Sequence, residues 1–225
     1  HQFPTGIITP IKRRQELLRW ARLAEERYVI EDDYDSEFRF AGSPIPAMKG
    51  LDLFDKVIYL NSFSKTLGPS FKISYMVLPQ ALAKSYHENY RFFNTSVPMI
   101  NQLVLARLIG SGEYERHLNR MKKIYRQKRD LLIALLLKSN FAEKIKIFGQ
   151  DSGLHFLINV KTLLEEERLV ALAKAKGVRV YGLKEFGIEK KNYSPEKTIV
   201  FGYSHLSEND LEKGIKALEK AWENI

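Results

Sequence analysis

The feature that most constrains this chain is an alternation. Stretches with helical spacing of apolar residues give way to short apolar runs that stop in polar clusters. Residues 11–26 carry Leu17, Leu18, Ala21 and Ala24 at helical spacing among charges, which predicts an amphipathic helix. Tyr28, Val29 and Ile30 then run into Glu31-Asp32-Asp33-Tyr34-Asp35, a buried strand with a polar end. After a Gly/Pro-rich loop between Gly42 and Gly50, Val57-Ile58-Tyr59-Leu60 reads as a second strand, ending in Asn61-Ser62-Phe63-Ser64-Lys65. A third strand at 73–78 stops at Pro79, and helices follow near 80–93 and 98–110. This order predicts an α/β fold with a mainly parallel sheet and loops gathered at strand ends.

The pattern changes at Gly110-Ser111-Gly112. From Glu113, the apolar positions Tyr114, Leu118, Met121, Tyr125, Leu132 and Leu135 sustain a helical spacing for about six turns. Beyond this long helix come strands at 144–148, 155–160, 178–181 and 198–202 and a helix at 163–176. In the last helix, Ser207 and Asp210 form a capping-box pattern, and Leu211, Ile215, Leu218 and Trp222 share one face. The expected division is 1–110 as an α/β part and 111–225 as a connecting helix with a small α+β unit.

Composition removes several alternatives. The chain has 225 residues, 44% hydrophobic and 28% charged, which excludes wholesale disorder. With no cysteine, thiol catalysis, disulfides and Cys-ligated zinc are excluded, and a reducing, cytoplasmic setting fits. No apolar run approaches the ~20 residues of a membrane span, so no membrane partner is expected. The charge of +9 is spread over stretches such as 121–129 and 183–197, which reads as solvated faces rather than a nucleic-acid footprint. The chain opens on His1-Gln2-Phe3-Pro4-Thr5-Gly6 without Met, as though cut from something longer.

Three local groups carry chemistry. Lys65 follows an apolar strand among Ser62, Ser64, Thr66 and Gly68, a setting for an amine facing a phosphate or a carbonyl carbon. In the acidic cluster, extended spacing puts Asp32 and Tyr34 on one face and Asp33 on the other. Three readings of the cluster stand: a divalent-metal site, which lacks calcium-loop spacing; a solvated loop; or a carboxylate aimed at a cationic ring nitrogen beside a phenol. Phe3-Pro4-Thr5-Gly6 alone is a turn. The five histidines show no metal-ligand spacing, and no metal site is expected.

Taken in order, the x-Pro-Thr-Gly turn, the strand ending Asp-x-Tyr, and Ser-x-x-Lys about 33 residues later resemble fold type I pyridoxal-phosphate proteins. The stretches 30–40 (IEDDYDSEFRF), 61–79 (NSFSKTLGPSFKISYMVLP), 1–6 (HQFPTG) and 111–114 (SGEY) resemble the aminotransferase-like domain of MocR/GabR-type transcription regulators. That resemblance implies pyridoxal 5'-phosphate as cofactor and the second half of a fold type I large domain plus a small C-terminal domain. It implies Lys65 as the Schiff-base lysine, Asp32 as the partner of the pyridine nitrogen, and Tyr34 as the phenol on the ring hydroxyl. Ser62 and Ser64 would meet the phosphate, with Lys72 where the family usually has an Arg. Lys replaces a planar fork with a point charge. The resemblance implies that Lys184 and Glu185 fall where γ-aminobutyrate-responsive regulators contact the effector, with an Arg in the place of Glu185. Phe3 stands near an Asn of true aminotransferases.

The implied function is cofactor binding, sensing of an amino-acid-type effector and homodimerisation, with little or no turnover. DNA would be bound only through an N-terminal winged helix-turn-helix that lies outside these residues, as does the first half of the cofactor domain. The free 225-residue polypeptide is therefore expected to hold the cofactor poorly. A stand-alone class I/II aminotransferase is the alternative reading, and a basic nucleic-acid module rests on the charge alone.

Overall fold

The computed structural model describes residues 2–42, 45–68, 70–187, 197–223 and 225. His1 and residues 188–196, the larger part of the 183–197 stretch, lie outside them. The chain divides into two units: Thr9–Glu37 with Ser43–Met121, and His1–Ile8 with Phe38–Gly42 and Lys122–Ile225.

The first, lysine-bearing unit holds a three-stranded sheet in the order β1 (Val29–Asp32), β2 (Val57–Ser62), β3 (Ser74–Val77). β1 and β2 are parallel, with Asp32 opposite Leu60. β3 is antiparallel to β2, with Ser62 opposite Ser74. The sheet is thus mixed rather than mainly parallel. Among its described residues, the link from Ser62 to Ser74 carries the one-turn helix α2 (Ser64–Leu67), whereas parallel strands are usually joined through a full crossover helix.

Helix α1 (Ile11–Arg22) ends four residues before the predicted limit and buries Ala21 fully. It is fastened to β1 by Arg14, which pairs with Glu31 at 3.2 Å. The Glu31 carboxylate also accepts from the Met48 and Lys49 N–H groups at 2.7 and 2.9 Å. The first acid of the cluster is therefore structural. Helices α3 (Gln80–Tyr90) and α4 (Met99–Gly110) follow β3. α4 is apolar nearly all round yet buries only Leu105, leaving Met99, Ile100 and Leu103 exposed.

Helix α5 (Glu113–Lys138) has 26 residues and is roughly 39 Å long at 1.5 Å per residue. The division between units falls inside it, after Met121. The C-terminal unit is an antiparallel sheet in the order β4 (Ile145–Phe148), β5 (His155–Val160), β7 (Lys197–Gly202), β6 (Tyr181–Gly182). Every residue of β5 is buried. Helices α6 (Glu166–Ala175) and α7 (Glu208–Ala221) complete it. α7 starts on the Ser207–Asp210 capping box and buries Leu211, Ile215 and Leu218. Each such side chain contributes about 1.5–3 kcal/mol on burial. Trp222, at 1% exposure, packs on Phe141 and Phe201 and donates from Nε1 to the Leu169 carbonyl of α6.

Candidate cofactor site

The site sits at the carboxyl end of a parallel strand pair, where open α/β sheets bind ligands. Asp32 closes β1 and Ser62 closes β2. The register places Asp32, Leu60 and Ser62 on one face and Glu31, Tyr59 and Asn61 on the other. Asp32 is exposed on its face. Asp33 belongs to the opposite side: its Oδ2 accepts from the Tyr59 hydroxyl at 2.8 Å and from Ser36 at 2.9 Å. Asn61 donates in turn to the Tyr59 oxygen at 2.9 Å. Two neighbouring acids thus have different tasks, one holding the fold together and one facing outward.

β1 ends at Asp32, and Tyr34 lies in a bend beyond it, half-buried. Burial first, then the negative charges of Asp35 and Asp32, raise the Tyr34 phenol well above its ordinary range. It stays protonated at neutral pH and is a hydrogen-bond donor.

Lys65 is not in a loop but on α2, immediately after β2, with its side chain exposed. The serines beside it tie the turn to the loop carrying Lys72. Ser62 Oγ accepts from the Ser64 N–H at 3.2 Å and lies 3.2 Å from Ser64 Oγ. Ser64 Oγ donates to the Phe71 carbonyl at 3.2 Å, directing its proton to the backbone. Phe63 N–H donates to the Ile73 carbonyl at 2.9 Å, which closes the same loop from the other side. Gly68 ends α2 at φ +103°, a conformation that side-chain-bearing residues rarely adopt. Lys72 is exposed.

Sequence reasoning missed the groups beneath the lysine. Thr66, 3% exposed, accepts from the Tyr114 hydroxyl at Oγ1 (3.1 Å), and its carbonyl lies 2.7 Å from His117 Nε2. Both partners are on the first turns of α5, 48 and 51 residues away. The one legible signal was their spacing of one helical turn.

In the C-terminal unit, Lys184 and Glu185 lie on a 3-10 turn, Leu183–Phe186. Glu185 Oε1 accepts from the Gly182 N–H at 2.9 Å, which caps that turn. Lys184 pairs with Glu167 at 2.9 Å and Glu165 at 3.6 Å. Its ammonium pKa is raised, chiefly by the hydrogen bond to Glu167. The turn is anchored from below by Glu166, 5% exposed, whose Oε1 accepts from the Lys184 N–H at 2.8 Å. Phe3 stacks edge-on against Phe186 (4.9 Å) and His155 (5.3 Å). Beside the turn, Val170, Lys174, Arg179, Tyr181 and Glu185 line an open groove of about 590 Å³, with Arg179 over the Tyr181 ring at 5.0 Å. Among the described residues, no three His, Asp or Glu gather as metal ligands, and no helix is long and apolar enough to cross a membrane.

A lysine just beyond a parallel strand, one strand from an outward carboxylate, is the arrangement that the resemblance to fold type I proteins leads one to expect. The chain belongs to the aminotransferase class I and II family, which matches residues 3–218. Among solved structures it is similar to a kynurenine aminotransferase from Pyrococcus horikoshii, crystallised in complex with PMP. The TM-score is 0.83 at 26% identity, over 99% of this chain and 54% of that one. Among curated relatives it is 41% identical to the HTH-type transcriptional regulator YdeL of Bacillus subtilis, over 99% of this chain and 47% of the relative. It is 31% identical to MocR of Rhizobium meliloti, by name a rhizopine catabolism regulatory protein, over 98% of this chain and 44% of the relative. These relatives bear out the resemblance to MocR-type regulators. The chain spans about half the length of the curated relatives it matches.

Proposed function

We propose that this chain is the cofactor-binding and effector-sensing part of a MocR-type transcription regulator, with pyridoxal 5'-phosphate as cofactor. The observation that carries the reading is the convergence of Asp32, Ser62 and Lys65 at the carboxyl ends of two adjacent parallel strands. The donor set fits that group: an exposed amine, an exposed carboxylate, a protonated phenol, and a serine turn beside Lys72. When bound, the cofactor supplies an aldehyde that an amine attacks and a ring that accepts electrons.

Lys65 provides the amine. Asp32 holds a proton on the ring nitrogen, and Tyr34 donates to the ring hydroxyl. Ser62 and Lys72 hold the phosphate, while Ser64 keeps the Lys72 loop closed through the Phe71 carbonyl. Lys72 supplies charge without a bidentate fork. In functional terms the chain divides at 110/111: cofactor contacts lie before it, and Lys184 and Glu185 face an amino-acid-type effector after it. Arg179 and Lys174, in the groove with Glu185, are the cations offered to an effector carboxylate, because Lys184 is already paired with two glutamates. The exposed apolar side chains of α4 support burial of that helix in the whole protein, proposed to be a two-fold homodimer in the cytoplasm. DNA is contacted through a winged helix-turn-helix, as the HTH-type names of the relatives suggest.

The test uses the full-length protein incubated with pyridoxal 5'-phosphate, reduced with borohydride and mapped by peptide. The label is expected on Lys65 and is lost in Lys65→Ala. A label on another lysine, or none at saturating cofactor, overturns the assignment. Sustained turnover of amino acid with 2-oxoacid would favour the aminotransferase reading instead.

A further inference from the structure

We infer that Tyr114 and His117 are positioning residues for Lys65: the first turns of α5 brace Thr66, and this brace holds the lysine at the strand ends. The inference rests on the proposal that Lys65 carries the cofactor.

The need for a brace follows from the size of α2. Ser64–Leu67 is four residues long, and an isolated helix of one turn is far from self-supporting because nucleation costs more than one hydrogen bond returns. Its shape must come from outside. The inner residue, Thr66, is where the outside bonds arrive. Its N–H and hydroxyl both donate to the Phe63 carbonyl, at 3.2 and 3.0 Å. Its Oγ1 accepts from the Tyr114 hydroxyl at 3.1 Å, and its carbonyl faces His117 Nε2 at 2.7 Å. Every polar atom of this buried residue is thereby engaged, half of it by α5.

The two α5 residues are themselves held. The Tyr114 ring packs edge-on against Phe63 at 5.6 Å, and Phe63 packs on Tyr75 of β3 at 5.5 Å. Burial raises the Tyr114 phenol above its usual range, so it remains a donor. Arg120 lies 3.3 Å from His117 Nδ1 and has only N–H to offer, so the imidazole accepts there and carries its proton on Nε2, facing the Thr66 carbonyl. Thr66 is buried and its neighbour Lys65 exposed, so rotation of this turn redirects the amine without disturbing the sheet. Tyr114 and His117 bond Thr66 directly, and Lys65 is the cofactor group next to it in the chain, whereas Ser62 and the Lys72 loop are reached only through Phe63 and Ser64. The brace therefore acts first on the lysine.

That selectivity supplies the test. Full-length wild type, Tyr114→Phe, His117→Ala and Lys65→Ala are titrated with two ligands. One is pyridoxal 5'-phosphate. The other is 4'-deoxypyridoxine 5'-phosphate, which keeps the ring and phosphate but has no aldehyde. Tyr114→Phe keeps the ring on Phe63 and removes only the hydroxyl, so it serves as the variant that folds. The brace variants are expected to bind the aldehyde ligand about three- to tenfold more weakly, in line with one hydrogen bond each. They are expected to bind the deoxy ligand within twofold of wild type. Equal weakening toward both ligands would make the role merely structural and overturn the inference. Unchanged binding of both, with Lys65 labelled as in wild type, overturns it as well. Failure of wild type to become labelled at Lys65 overturns the proposed function, and the inference with it.

Discussion

Gly182→Ala should be among the most destabilising small substitutions in the C-terminal unit, for a reason unrelated to backbone strain. Gly182 sits at φ −75°, ψ 146°, where alanine is at ease. An added Cβ would lie on top of Glu166 Oε1 and 2.9 Å from its Cγ and Cδ. Glu166 cannot yield cheaply. It is 5% exposed, and its oxygens accept from the Lys184 N–H at 2.8 Å and the Thr198 N–H at 3.3 Å. Swinging it away strands two inward backbone donors, at about 1–3 kcal/mol each, so the substitution should cost about 3–5 kcal/mol. At 2–4 °C per kcal/mol for a protein of this size, the melting temperature should fall by roughly 10 °C. Urea unfolding followed by Trp222 fluorescence in a Trp20→Phe background reads the same unit. In a Glu166→Ala background the clash is gone, and adding Gly182→Ala should cost less than about 1 kcal/mol, so the cycle reports strong coupling. Gly214→Ala in α7, where a Cβ meets nothing within 4 Å, should instead stabilise by about 0.5–1 kcal/mol. A Gly182→Ala midpoint matching wild type, or an undiminished cost in the Glu166→Ala background, would refute this account.

Asp32→Asn should weaken cofactor binding with little change in melting temperature, whereas Asp33→Asn should lower stability through its bonds to Tyr59 and Ser36; titration and melting curves showing the reverse would shift the site by one residue. Glu185→Arg should strengthen the response to γ-aminobutyrate, read from the visible cofactor band, while giving up the cap on Gly182; tight wild-type binding unimproved by the change would remove Glu185 from the effector site. Burial raises the Glu37 carboxyl above the usual range. Its native state therefore favours the proton, and stability from this group, full at low pH, is lost as pH rises through the folded value. Glu37→Gln should flatten that decline, and parallel melting profiles of wild type and variant between acid and neutral pH would contradict it.

What the sequence reveals here follows the range of the interaction. The Ser207–Asp210 cap, the strand that stops at Asp32 and the serines around Lys65 are local, and each is legible from its neighbours. The direction of β3 was not fixed by the link after Ser62, whose eleven residues stand at the lower limit for a parallel crossover. Glu185 stands out through the resemblance, which puts an Arg in its place, but its bond to a backbone N–H three residues back leaves no mark in residue type. Thr66 is the opposite case. It reads as one more small polar residue of an anion-binding turn, and its partners on α5 become visible only when the chain has folded.

α5 also imposes a phase on the gene. Tyr114 and His117 stand three residues apart on its first turns, and both reach Thr66. A single residue inserted between them turns one about 100° from the other. Both contacts to Thr66 cannot then be kept. Length variation is therefore excluded between these two positions, whereas a substitution that keeps each hydrogen-bonding group leaves the stretch in phase.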